Sequence, residues 1–396
     1  MEIAIFNALL YVAALLIYYL HTRKTMDFGF VLLFAYALTA VTCVFWYAYN
    51  PVNWKLTTWP FIYLFGICIL SFRPFFIYPS SYISENIKIR KLNVLNIFCY
   101  IFITCAITAT FFSINDVIKN ITTNDWVQIY SESGDKILYT TQLERFTKIF
   151  TQYLHPIATI ALFYYLTLNR KKWLFLILLC ISIIGSVFAT AIIVGARGLI
   201  VIRFMSVFIG YIFFQKSYSK KLKRIILYFS SSILFIVLLY AFAVTESRFS
   251  NYYSTLDEKS SILYYLGHSM LAFDYGIADT IQKFMWGDFL FKTNMNLYYL
   301  GFDSTLGTHF GTQFFTFVGA WYLDFGPFGT LIIAILLPIL LFSNFRKKKV
   351  FDIADLYLYF FFYMFLLNGV FVYGRGYFIQ WVMSFAVYII LKIIRI

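Results

Sequence analysis

The sequence predicts an all-α polytopic membrane protein of about 11 transmembrane helices, and three observations predict it. Apolar residues make up 61% of the 396 and charged residues only 13%, with a mean hydropathy of +0.77. A soluble domain does not carry that share of apolar side chain. Apolar runs long enough to span hydrocarbon recur along the whole length. Basic residues gather in alternate connections between those runs. The chain therefore reads as a single integral membrane domain over 1–396.

Each element follows from its run. The first, 3–20, lacks a basic leader and a small-residue cleavage site, so it is expected to be a retained helix. The second and third are 28–48 and 58–72, the third being short, and the fourth is 92–112. The fifth, 149–168, contains His155 and Pro156. The sixth and seventh, 173–194 and 198–214, meet at Gly195 to Gly198. The eighth is 225–245. The ninth, 313–342, is long, and a break is expected near Gly326-Pro327. Runs at 354–372 and 377–394 complete the set.

Charge then orients these elements. The connections after the first, third, fifth, seventh and ninth runs, with the C-terminal tail, hold 20 of the 32 basic residues and only Asp27, Glu85, Asp352 and Asp355 among the acids. The other connections, with Glu2 at the N-terminus and Asp324 in the first half of the ninth run, carry 11 basic and 14 acidic residues, which leaves Arg203 inside a run. The positive-inside rule puts the basic connections in the cytoplasm, the N-terminus outside and the C-terminus inside. The net charge of +14 is thus a topology signal, and no nucleic-acid partner is expected. Two large connections, 113–148 and 246–312, fall outside the membrane on the far side. Within the second, residues from Asp257 to Leu271 open with acids and continue with apolar side chains at helical spacing, which predicts a helix lying on the membrane surface. The five cysteines all lie in apolar runs, so neither a disulfide nor a zinc site is expected.

Arg197 is the most informative residue. It lies at the junction of two apolar runs, where free backbone N–H groups at a helix start favour an anion. Arg203 lies about 9 Å deeper in the second run. A guanidinium at that depth costs several kcal/mol unless it meets a cavity, a partner or the interface, and its planar fork suits phosphate. Arg375 shares the glycine-flanked setting, between Gly374 and Gly376, and Arg248 follows the eighth run. For Arg248, snorkelling to headgroups or pairing with a loop acid is the favoured account. His309, in the Ser304 to Thr312 stretch that ends the large connection, is the candidate base or acceptor-orienting group. His268 on the predicted surface helix is a weaker binding candidate, and His155 and His21 are read as structural. No Asp-x-Asp occurs and the first outer connection has no acid, so metal-dependent chemistry is disfavoured. No cofactor is expected, and no Gly-x-Ser-x-Gly, His-Glu-x-x-His or P-loop pattern is present.

Three stretches resemble the bacterial oligosaccharide repeat-unit polymerases (the Wzy family) and the related O-antigen ligases. They are the small-residue and Arg junction from Thr190 to Leu199, the large outer connection that ends in His309, and the Gly326 to Gly329 turn into a membrane helix. Some members carry an Arg followed by ten residues and a Gly in two outer loops, a spacing that Arg197 and Arg248 do not match. The resemblance implies a GT-C-like glycosyltransferase of the bacterial inner membrane, without cofactor or metal, active at the outer face. It would join undecaprenyl-pyrophosphate-linked repeat units into O-antigen or capsular polysaccharide and release undecaprenyl pyrophosphate. Its partners would be lipid-linked glycans, membrane lipids and a chain-length regulator protein. On this reading His309 and Arg197 are catalytic, and Arg203, Arg248, Arg375 and His268 bind substrate. An O-antigen ligase is the near alternative. A lipid-linked oligosaccharide flippase is the alternative of another class.

Overall fold

The computed structural model describes residues 1–22, 26–49, 55–123, 129, 141–168, 171–194, 197–252, 258–274, 316–370 and 377–394. These are helical almost throughout, and the only β-pairing among them is an isolated bridge between Ile87 and Phe351. In chain order the helices are α1 (Glu2–His21), α2 (Phe28–Tyr49), α3 (Thr58–Ile77), α4 (Ser80–Glu85), α5 (Leu92–Thr123), α6 (Gln142–Thr167), α7 (Trp173–Val194), α8 (Arg197–Phe214), α9 (Lys220–Tyr252), α10 (Glu258–Phe273), α11 (Phe317–Phe342), α12 (Ile353–Asn368) and α13 (Tyr377–Ile394). Each of the eleven apolar runs falls on one of these helices. Seven are long and apolar enough to cross a membrane: α1, α2, α3, α5, α7, α9 and α11. The protein is an all-α, multi-pass membrane protein.

The chain forms two compact units. The first comprises Met1–Tyr82, Lys259–Lys349 and Phe362–Phe385. Asp27 starts α2 by accepting the Phe30 N–H at 2.9 Å, and it accepts the Tyr18 hydroxyl at 2.8 Å, which ties α1 to α2 across their connection. Inside this unit aromatic rings fill the gaps between helices. Phe28 meets Tyr363 at 4.1 Å between centroids, and the buried Tyr36 hydroxyl donates to the Leu366 carbonyl at 2.9 Å.

Two features of this unit bear on the sequence reading. The expected break in α11 occurs at Gly326, whose backbone (φ 66°, ψ −175°) lies where essentially only glycine is found. The carbonyl that follows, of Pro327, is used by the Tyr63 hydroxyl at 2.6 Å. The predicted surface helix forms as α10, but its second half is buried rather than spread on a surface. Gly267 lies so close to the Thr42 backbone that no side chain fits there. Asp274, just past α10, accepts the Thr57 hydroxyl at 2.7 Å. The apolar spacing that suggested a membrane-surface face is a packing face.

The second unit comprises Ile83–Glu258, Val350–Phe361 and Ala386–Ile396. In it α5 packs against α6 and α7, and α8 packs against α6, α7 and α9. Near one end of these helices the Asn120 amide of α5 donates to the carbonyls of Ile192 and Ile193 at 3.0 and 3.2 Å, occupying acceptors that the last turn of α7 leaves free. Tyr240 of α9 donates to the neighbouring Ala191 carbonyl at 3.2 Å. The last turn of α7 is therefore held by both α5 and α9. At the opposite end Asp352 and Asp355 cap each other's backbone N–H and share Lys392, at 2.6 and 2.8 Å. The expected large connections are shorter than the runs implied. Helix α5 continues to Thr123, α6 starts at Gln142, and α9 continues to Tyr252. Backbone hydrogen bonding carries these helices past the last apolar residue.

Gly326→Ala is expected to lower the stability of the detergent-purified protein by about 1–3 kcal/mol, because alanine is strained at this φ and ψ. An unchanged melting midpoint in a thermal-shift measurement would contradict the break at Gly326.

Candidate functional site

The site is built on the second unit, at the end marked by Asn120. Helix α6 starts with Thr141, whose hydroxyl accepts the Glu144 N–H at 3.1 Å. From there α6 presents a polar stripe at every fourth residue, Thr147, Thr151, His155 and Thr159, all buried. Four-residue spacing keeps these side chains on one helix face. Lys148 and Gln152 form a second row beside it, with Lys148 paired to Glu144 at 2.6 Å. The facing helix α8 brings Arg203. It approaches α6 closely because Gly210 leaves room for the Phe163 ring, which a Cβ there would overlap.

Between these helices and α5 and α7 lies a cavity of about 270 Å³. Its polar lining includes Arg203, Lys148, Gln152, His155, Ser186 and Thr190. Several hydroxyl protons are already in use. Thr151 donates to the Thr147 carbonyl at 2.7 Å and Thr190 to the Ser186 carbonyl at 2.8 Å. Donors that face the cavity include the Arg203 guanidinium and the Gln152 amide. Arg203 is half-buried, and among the described residues no carboxylate lies within ion-pairing distance of it. The cavity thus carries an excess of cationic donors and suits an anion.

A second cavity of about 400 Å³ shares Arg203, His155 and Val187 with the first. It runs between α6, α7, α8 and α9 and is lined almost wholly by apolar side chains. Ile177, Ile181 and Phe229 on its flank are exposed, so it opens sideways on an apolar face. Polar and apolar cavities join at Arg203 and His155.

Among the described residues, Arg203 is the predicted site residue whose side chain lines these cavities. Arg197 is the first residue of α8, as the helix-start reading required, and its side chain lies outside the described residues. Arg248 lies within α9 rather than in a loop, and its side chain is likewise outside. His309 and Arg375 fall outside the described residues. His268 is buried in the first unit, edge-on to Trp46 with centroids 6.4 Å apart. The residue that sequence reasoning missed is His155. It was read as structural because an apolar run surrounds it. The signal that finds it is the four-residue stripe of Thr147, Thr151, His155 and Thr159.

No protein-family model, no curated protein and no solved structure matches the chain.

Arg203→Met keeps the volume of the side chain and removes its charge. With no carboxylate partner to orphan, this variant is expected to melt at the same temperature as the wild type or higher, while losing anion-dependent stabilisation. A fall of several degrees would show that Arg203 braces the bundle instead of waiting for a ligand.

Proposed function

We propose that the chain polymerises undecaprenyl-pyrophosphate-linked oligosaccharide repeat units at the outer face of the bacterial cytoplasmic membrane, in O-antigen or capsular polysaccharide synthesis. The observation that carries this reading is the guanidinium of Arg203, which lines a polar cavity and has no carboxylate in ion-pairing distance among the described residues. A half-buried cation without such a partner suits an anionic ligand. The charge bias of the connections supports an orientation in which the Asn120 end of the second unit faces outward. In this reading eleven spans in a GT-C-like arrangement hold the N-terminus outside and the C-terminus in the cytoplasm.

The reaction is glycosyl transfer. The acceptor hydroxyl oxygen attacks the anomeric carbon of the donor, and the bond from that carbon to the pyrophosphate oxygen breaks. The departing undecaprenyl pyrophosphate takes the electron pair, and a base takes the hydroxyl proton. Charge grows on the pyrophosphate through the transition state. Fixed guanidinium groups stabilise it most strongly where water is excluded, so the step needs no metal. Arg197 and Arg203 hold the pyrophosphate, with Arg248 and Arg375 as further contacts, and His309 takes or orients the acceptor proton. An O-antigen ligase would use the same donor and differ only in its acceptor. The polar cavity lies toward one end of the second unit, which favours chemistry at one membrane face over passage through both leaflets.

Purified protein supplied with lipid-linked repeat units, without divalent metal, is expected to make polymer and release undecaprenyl pyrophosphate. Arg203→Gln and His309→Ala should each lower the rate by about a hundredfold or more with the protein still folded. No elongation by the wild type, or full activity of both variants, would overturn the assignment. A ladder assay in cells separates the ligase: single repeats on the core mean that a polymerase is missing, and free polymer with bare core means that a ligase is missing.

A further inference from the structure

Helices α7 and α9 each start from a run of cations. The connections 168–172 and 215–224 hold eight basic residues, from Arg170 to Lys172 and from Lys216 to Arg224. No acid occurs in the sequence between Glu144 and Glu246. Among the described residues no carboxylate pairs with these cations, and Lys172, Lys220, Lys221 and Arg224 are exposed. The positive-inside rule explains why cations collect at helix starts on one side. It does not explain the slot that opens between them.

That slot is the apolar cleft. Toward the later turns of α7 and α9 it is closed: Ala191, Ile200 and Val237 are buried together, and Tyr240 donates to the Ala191 carbonyl. Toward the helix starts its walls are Trp173 on α7 and Leu222 and Ile225 on α9. Lys172 precedes Trp173, and Lys221 and Lys223 flank Leu222, so each wall begins within one residue of a cation. The flank at Ile177, Ile181 and Phe229 is exposed, so a chain can enter sideways. Trp173 is itself exposed, and an indole suits the headgroup level of a bilayer.

Length and packing point to the same occupant. One leaflet offers about 15 Å of hydrocarbon, or about ten residues at helical rise. An acyl chain whose head lies at Trp173 therefore ends near Ile183. Val187, where the cleft meets the polar cavity, lies about 21 Å from Trp173 along α7. Such a chain fills the open part of the cleft and stops short of Arg203 and His155. Helix α9 also needs the packing. Its span Lys220–Tyr240 is 11% buried, the least of the seven.

We propose that the cleft is a site for an anionic diacyl phospholipid of the leaflet at this end. One acyl chain lies between α7 and α9, and the cations at the two helix starts hold the phosphodiester head. The bound lipid completes the packing of α9 against the second unit. Neither Arg203 nor the polymerase reading enters this inference.

The test uses the full-length protein, delipidated in detergent, with native mass spectrometry and thermal shift as readouts. The probes are palmitoyl-oleoyl phosphatidylglycerol, phosphatidylcholine with the same chains, and undecaprenyl phosphate. One phosphatidylglycerol is expected to bind at least about tenfold tighter than phosphatidylcholine and to raise the melting temperature by several degrees. The triple variant Lys220→Gln, Lys221→Gln, Lys223→Gln should bring the two lipids to within about twofold of each other. Cys180→Trp places an indole midway along the cleft and should remove both the tight site and the thermal shift. Ile184→Trp blocks the same space from the next turn and serves if the first variant does not fold. Equal binding of the two phospholipids, or a preference that survives in the lysine variant, would overturn the proposal. Wild-type affinity in a folded tryptophan variant would place the lipid on the charged rim alone and overturn it as well. Undecaprenyl phosphate that displaces phosphatidylglycerol and binds tighter would assign the cleft to another lipid. Polymer synthesis is not measured in any arm, so these results and those of the elongation assay stand apart.

Discussion

A guanidinium carried on a membrane helix has to be compensated, and the second unit is arranged around that requirement. Arg203 lies six residues into α8, about 9 Å from its first residue, and no carboxylate among the described residues is placed to pair with it. The surrounding helices supply polar lining instead. Helix α6 gives up part of its apolar surface to a stripe of threonines and a histidine, and α5 and α7 add hydroxyls. Polar groups at such depth are costly unless satisfied, and most hydroxyls here satisfy themselves on their own helix backbone. What is left over is concentrated in two side chains, Arg203 and His155.

Close helix approach makes this arrangement possible. Gly210 admits the Phe163 ring, which lets α8 lie against α6. Asn120 and Tyr240 hold the last turn of α7, which ties it to both α5 and α9. The clamp at the other end, Lys392 with Asp352 and Asp355, ties the last helix to the start of α12. In the proposed reading the two cavities of this unit meet at the atoms that would touch phosphate.

Much of the fold was legible because hydrophobic length is a strong signal. Each expected run became a helix, and the break at Gly326-Pro327 was visible from residue types that cannot continue a helix without strain. Helix ends were less legible, since α5, α6 and α9 extend into polar sequence where backbone hydrogen bonds continue without apolar side chains. The burial of α10 was not legible either. An apolar face at helical spacing looks the same whether it will meet lipid or protein, and only the contacts of Gly267 and Asp274 decide between them. At the site, Arg203 was legible from its cost. His155 was hidden because a lone histidine in an apolar run carries no information until its four-residue relation to Thr147, Thr151 and Thr159 is noticed.

The central claim of the proposal is that Arg203, which has no carboxylate partner among the described residues, meets a lipid phosphate. The most direct measurement is an electron cryomicroscopy map of the protein in a lipid nanodisc with undecaprenyl pyrophosphate added. The account predicts phosphate density within ion-pairing distance of the Arg203 guanidinium. A map in which Arg203 pairs with a carboxylate of the chain, while the lipid sits elsewhere, would contradict it.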